Sequence, residues 1–265
     1  MKSDMPHPDT PQPDEQIPAA HAQVLIRSIG GIAAAVRGAA AIWKGHSLGE
    51  PQLKAMLSYT IARVGQAIHR DDLAGVGSRD PKKQPTRPSN LASGLLNMLK
   101  SWGMECALKL GWRTITLERH ACWSLDTDMI DEALGIATRY RRAGDVVAER
   151  AILQQAASHC GGVYLDGFDA PDDVFDCGLE DKRHYWERRQ RDLLHRLIRL
   201  QLQQSAYDEA LAGARLLDQL AADNQADYLL IAEVHDCQGG AQLAQFYRIK
   251  AQQADSLGER RSLII

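Results

Sequence analysis

A change of hydrophobic period near residue 125 constrains this chain more than any other feature. Before it, runs with the strand spacing of two alternate with helical runs; from Asp126 onward every strongly patterned run is helical. "VLIRSIGGIAAAV" reads as two short strands about Gly30-Gly31. "LGEPQLKAMLSYTIARVG" is an amphipathic helix, with Pro51 in its first turn, Leu53, Met56, Leu57, Ile61 and Val64 in register, and Gly65 as its stop. "HRDDLAG" is a short helix opened by Asp71 and Asp72, acids that suit an N-terminus. In "SNLASGLLNMLKSWG" the residues Leu91, Leu95, Met98 and Trp102 fall on one stripe, and Asn90, Ser93, Gly94, Asn97 and Lys100 on the opposite face. "CALKLGWRTITLERHACW" then alternates through Cys106, Leu108 and Leu110, and through Ile115 and Leu117, on either side of a Gly111-Trp112 turn. Strands, helix, short helix, loop, helix and hairpin, in that order, make a winged helix-turn-helix.

The remainder is all-helical. "TDMIDEALGIATRYRRAG" and "VVAERAILQQAASHC" lead through "GGVYLDGFDAPDD" to a long segment, residues 175–204, with Trp186, Leu193, Leu197 and Leu200 on one stripe. Ala210 and Ala244, in "AYDEALAGARLLDQLAAD" and "GAQLAQFYRIKAQQADSLG", stand 34 residues apart, the tetratricopeptide period, where small residues let paired helices approach. The fold expected is therefore mainly α: a disordered tail over 1–21 with five prolines, a winged helix-turn-helix with small β-sheets over 22–124, a tetratricopeptide-like helical domain over 125–258, and a loose end over 259–265.

Charge divides along the same line. Lys and Arg outnumber Asp and Glu by 14 to 6 between Ala22 and Ser124, a net +8, whereas from Leu125 to Ile265 the count is 16 against 24, a net −8. Such asymmetry points to a module that meets nucleic acid joined to one with another task. Lys82, Lys83 and Arg87 precede the third helix and suit phosphate positioning. Asn90, Ser93 and Asn97 are the side chains placed to read bases, Lys100 a phosphate contact, and Arg113 the wing residue for a backbone or minor-groove contact. Trp112 is expected to pack on the hairpin.

The order of parts resembles the antibiotic-regulatory-type bacterial transcriptional activators, which join a winged helix to a tetratricopeptide-like activator domain. The resemblance is carried by "HRDDLA", "SNLASGLLNMLKSWG", "TITLERHACWSLDTDMIDEAL", "VYLDGF", "YWERRQRDLLHRL" and "SAYDEALAGARLLDQL", and covers residues 24–258. It implies a DNA-binding transcription regulator, an activator, whose helix 89–102 enters the major groove of double-stranded DNA and whose helical domain contacts RNA polymerase or a second copy of the chain. One departure favours an alternative, an adaptor whose winged helix binds protein: "NMLKSW" offers only Lys100 where the family carries an Arg-rich cluster.

Other classes are disfavoured. "GVGSR" follows a helix rather than a strand, so it is no phosphate cradle, and no P-loop string occurs. His69-Arg70-Asp71-Asp72 lacks a nucleophile and an orienting group, which argues against an enzyme. "HAC" at 120–122 and "SHC" at 158–160 lack zinc-site spacing, so neither metal nor cofactor is expected. Five cysteines without a C-x-x-C pair read as reduced, mostly buried thiols. No run of 18 apolar residues and no signal-peptide core is present, which gives the expectation of a cytoplasmic protein without membrane contact.

Overall fold

The computed structural model describes residues 23–45, 48–77, 88–168, 178–220 and 224–262. Contacts divide the chain into two compact units, one built from Pro18–Met129 with Val163–Trp186, the other from Ile130–Gly162 with Glu187–Ile265. The division thus falls after Met129 rather than at Ser124, and the first unit takes back a later segment.

The first unit contains the strands β1 (Val24–Arg27), β2 (Ala33–Val36) and β3 (Ala39–Ala40), the helix α1 (Glu50–Ala62), β4 (Ile68–His69), α2 (Arg70–Gly77), α3 (Pro88–Ser101), β5 (Leu108–Leu110), β6 (Thr114–Leu117) and β7 (Trp123–Leu125). One sheet has the order β3-β2-β1-β7 and the other β4-β6-β5. β1 runs antiparallel to β2 and parallel to β7, with Val24 opposite both Val36 and Trp123. The sequence pattern did not reveal β3, β4 or β7: β3 and β4 have two residues each, and all three residues of β7 are buried, so none of them shows an alternation. Cys106, expected in the hairpin's alternation, lies instead in a single 3-10 turn, Glu105–Ala107, that precedes it.

Leu53, Met56, Leu57 and Ile61 of α1 are buried, as are Leu73 of α2 and Leu91, Leu95, Met98 and Trp102 along α3. Ser58, Tyr59, Thr60 and Ala62 are buried too, so the second half of α1 is enclosed on every side rather than amphipathic. Val64 lies beyond the end of α1 and is half-buried. Gly103 stops α3 at φ +78°, a conformation that suits glycine, so that Gly103 N–H donates to Lys100 O at 2.9 Å and Met104 N–H to Leu99 O at 2.8 Å. Met104, buried, supplies the apolar contact that usually follows such a stop.

Asp126 explains where the unit ends. Its fully buried carboxylate accepts from Ser28 N at 2.8 Å, Ser28 Oγ at 2.6 Å, Ile29 N at 2.8 Å and Thr127 N at 2.9 Å. Burial pushes its carboxyl up from the usual range, while these donors pull the other way. The "VYLDGF" segment docks on the same strand end: Gly30 N–H donates to Val163 O at 2.9 Å and Leu165 N–H to Ser28 O at 2.6 Å. Arg183 holds the segment through Tyr164 O at 3.2 Å and Phe168 O at 2.9 Å.

The second unit is helical. It takes up α4 (Asp126–Ala143) from Ile130 onward, α5 (Val146–Ala157), α6 (Leu179–Gln203) from Glu187 onward, α7 (Tyr207–Gln219), α8 (Gln225–Cys237) and α9 (Ala241–Ser262). Asp145 caps α5 by accepting from Ala148 N, and Asn224 caps α8 by accepting from Ala226 N. Ala210 and Ala244 are fully buried, and a Cβ on Gly213 would stand 2.9 Å from Ile198 Cγ1, so the small residues sit where helices meet. Leu193 and Leu197 are buried in the α6 stripe, while Leu200 is half-buried. Among the described residues no helix is long and apolar enough to cross a membrane.

Candidate nucleic-acid interface

α3 presents Asn90, Ser93 and Lys100 to solvent and leaves Asn97 half-buried. The Ser93 hydroxyl is turned back onto Ser89 O at 2.8 Å. Gly94, expected on the exposed face, is buried: a Cβ there would stand 3.0 Å from Leu48 Cγ, and one on Gly45 would stand 2.7 Å from Gly94 O. Glycine at 94 therefore serves the packing of α3 on Gly45 and Leu48, not an approach to a ligand. Trp102 fixes the far end of the helix, donating from Nε1 to Ile42 O at 3.0 Å and meeting Trp43 edge-on at 5.0 Å between ring centroids. Lys82, Lys83 and Arg87 lie outside the described residues.

The β5–β6 hairpin is the wing. Arg70 pins its turn, donating from Nη2 to Gly111 O at 2.6 Å and from its backbone N–H to Arg113 O at 2.9 Å. Arg113 is exposed at the tip. Trp112, expected to pack on the hairpin, is instead 90% exposed, because it stands in the middle of the three-residue tip, Gly111–Arg113, beyond the last strand pair of Leu110 with Ile115. The His69-Arg70-Asp71-Asp72 run is spent locally: His69 Nδ1 lies 3.2 Å from Asp71 Oδ2, and Asp72 accepts from Tyr59 Oη at 3.5 Å.

Two features lie outside the residues predicted as a site, although the arginines of "YWERRQRDLLHRL" are a visible signal for the first. In the helical unit a cleft of about 610 Å³ is lined by six arginines, at 139, 142, 189, 191, 196 and 199, against three aspartates. At its wall the buried Asp227 lies 2.6 Å from Arg191 Nε and 2.5 Å from His195 Nε2, while Arg189 meets Asp131 at 2.6 Å and Arg196 meets Glu149 at 2.8 Å. Arg188 and Arg199 remain exposed. The second feature is that the thiols are not mostly buried: of the described cysteines only Cys160 is, whereas Cys106 and Cys237 are exposed and Cys122 is half-buried. Cys106 Sγ lies 3.9 Å from Cys122 Sγ. Burial, followed by the contact with Cys106, pushes the Cys122 thiol up.

A four-stranded sheet, three helices and a pinned hairpin, with an all-helical unit in the same chain, define the class: a winged helix combined with tetratricopeptide-like helices. A structure of Mycobacterium tuberculosis EmbR in complex with a low-affinity phosphopeptide shares this fold, at a TM-score of 0.63 and 15% identity over 89% of this chain. The match spans 61% of the EmbR chain. No family model matches the sequence, and no curated protein matches it.

Proposed function

We propose that this protein is a transcription regulator that binds double-stranded DNA through α3 and the wing, and that its helical unit contacts RNA polymerase or a second copy of the chain. The observation that carries the reading is the exposed row Asn90, Ser93 and Lys100 on a helix whose opposite stripe is buried, beside a pinned wing bearing Arg113, within a segment of net +8. A partly polar row suits base edges: asparagine makes a two-bond contact to adenine, and serine serves several bases. The basic excess supplies affinity that does not depend on sequence and falls with salt. The exposed Leu243, Phe246 and Ile249 on α9 are apolar side chains that a protein partner would cover.

Selection of binding sites from random duplexes by the full chain tests this. Asn90→Ala is expected to relax preference at one base position by about 1–3 kcal/mol, and joint replacement of Lys82, Lys83 and Arg87 by alanine to weaken all sequences alike. The adaptor alternative is favoured by one observation, that Lys100 is the single basic residue in the described row. Absence of any DNA affinity at low ionic strength would transfer the assignment to it.

A further inference from the structure

We propose that Cys106, His120 and Cys122 form a binding site for a thiophilic metal ion, zinc foremost, at the base of the wing. One ligand atom from each of the three side chains lies within 4.8 Å of the others. They come from separate places, Cys106 from the 3-10 turn that enters β5, and His120 and Cys122 from the turn between β6 and β7. Backbone hydrogen bonds hold both turns: Glu118 N–H donates to Ala107 O at 2.7 Å, Val24 N–H to Cys122 O at 3.1 Å, and Trp123 N–H to His120 O at 3.2 Å. The ligand positions are therefore set by the fold and not by flexible chain.

The separation fits a metal better than a disulfide. Two thiolates bound to tetrahedral zinc at ~2.3 Å stand ~3.8 Å apart, and Cys106 Sγ and Cys122 Sγ are 3.9 Å apart. A sulfur–sulfur bond would need them at ~2.05 Å. The imidazole has at most to move from 4.8 Å to the ~3.5 Å nitrogen–sulfur edge of such a site, which rotation of an exposed side chain supplies. Two sulfurs and an imidazole select zinc or monovalent copper over magnesium and calcium. Three protein ligands leave a fourth position for water or for the neighbouring carboxylate of Glu105, so the ion is exchangeable. Exposed cysteine is uncommon, and the exposed Cys106 touching the half-buried Cys122, 16 residues away and beside a histidine, requires a reason.

A bound ion would tie the entry of β5 to the turn before β7, which pairs with β1, and so hold the wing on the unit's first sheet. Metal-dependent DNA affinity follows from this only if the DNA-binding reading holds; the site itself does not depend on it.

The experiment is a zinc titration of the full, phosphine-reduced chain in competition with a chromophoric chelator. The expected result is one equivalent of zinc bound, with affinity at least tenfold lower in Cys106→Ser and in Cys122→Ser and reduced in His120→Ala. Zinc should also shield Cys106 and Cys122 of the unaltered protein from alkylation, read by peptide mass. Binding that persists undiminished in the Cys106→Ser/Cys122→Ser double variant, which keeps the other three cysteines, would overturn the proposal. So would absence of binding by the reduced protein. Zinc binding without any change in DNA affinity would leave the site standing and remove only its link to DNA.

Discussion

Replacing Asp126 by alanine would strand three backbone N–H groups and the Ser28 hydroxyl in a dry place. An unsatisfied buried donor costs about 1–3 kcal/mol, so Asp126→Ala should destabilise the first unit by about 3 kcal/mol or more. Denaturant unfolding monitored by tryptophan fluorescence measures it, and a loss below about 1 kcal/mol would mean that these bonds are not kept in solution. Nothing in "SLDTD" announces this role, since three of the carboxylate's four donors stand 97 and 98 residues away. The cysteines conceal their meeting in the same way: no short motif joins Cys106 to Cys122, and only the hairpin's closure brings them together. The exposure of Asn90, Ser93 and Lys100 was readable from the helical period, which put Gly94 on the same side although it is buried.

Elements long enough to show a period were legible, β1, β2, β5 and β6 among them, and β3 and β4 were not. α3 and the helices after residue 125 carry buried stripes that recur every three or four residues, whereas α1 is buried without a break from Met56 to Ala62, and β3 and β4 are two residues each and owe their existence to the strands beside them. The seat of α3 is similarly invisible in the sequence. Gly45 and Gly94 let the helix lie backbone against backbone, and a glycine on a helix otherwise reads as a weakness of about 1 kcal/mol relative to alanine. Gly45→Ala should therefore cost about 1–3 kcal/mol through overpacking against the Gly94 carbonyl. Gly94→Ala should cost less, because it meets the movable side chain of Leu48. Thermal unfolding of the two variants ranks them; the reverse order would show that the segment around Gly45 yields more readily than Leu48.

At the scale of the molecule, the period change near residue 125 located the start of the helical part, but not the limits of the folded units. The first unit reclaims Val163–Trp186, whose "VYLDGF" lies on the end of β1 and is clamped by Arg183. Pairing between segments this distant leaves no mark in a local pattern. A fragment covering 22–124 lacks Asp126, the docking segment and Arg183 together, so it should unfold without a cooperative transition or at a far lower temperature than the unit does in the whole chain. Circular dichroism on heating decides; a fragment as stable as the intact protein would show that the later segment is ornamental. Measurements of DNA affinity accordingly belong to the full chain.

The bare indole of Trp112 has an optical consequence. Trp102 and Trp123 are buried, Trp43 and Trp186 half-buried, and Trp112 stands 90% in solvent on a turn that Arg70 holds still. An aqueous quencher such as iodide reaches one indole out of five freely, so the quenchable fraction of the emission comes mainly from the tip of the wing. Whatever settles on that tip reports itself as light that the quencher no longer removes, without a dye, a tag or a substitution.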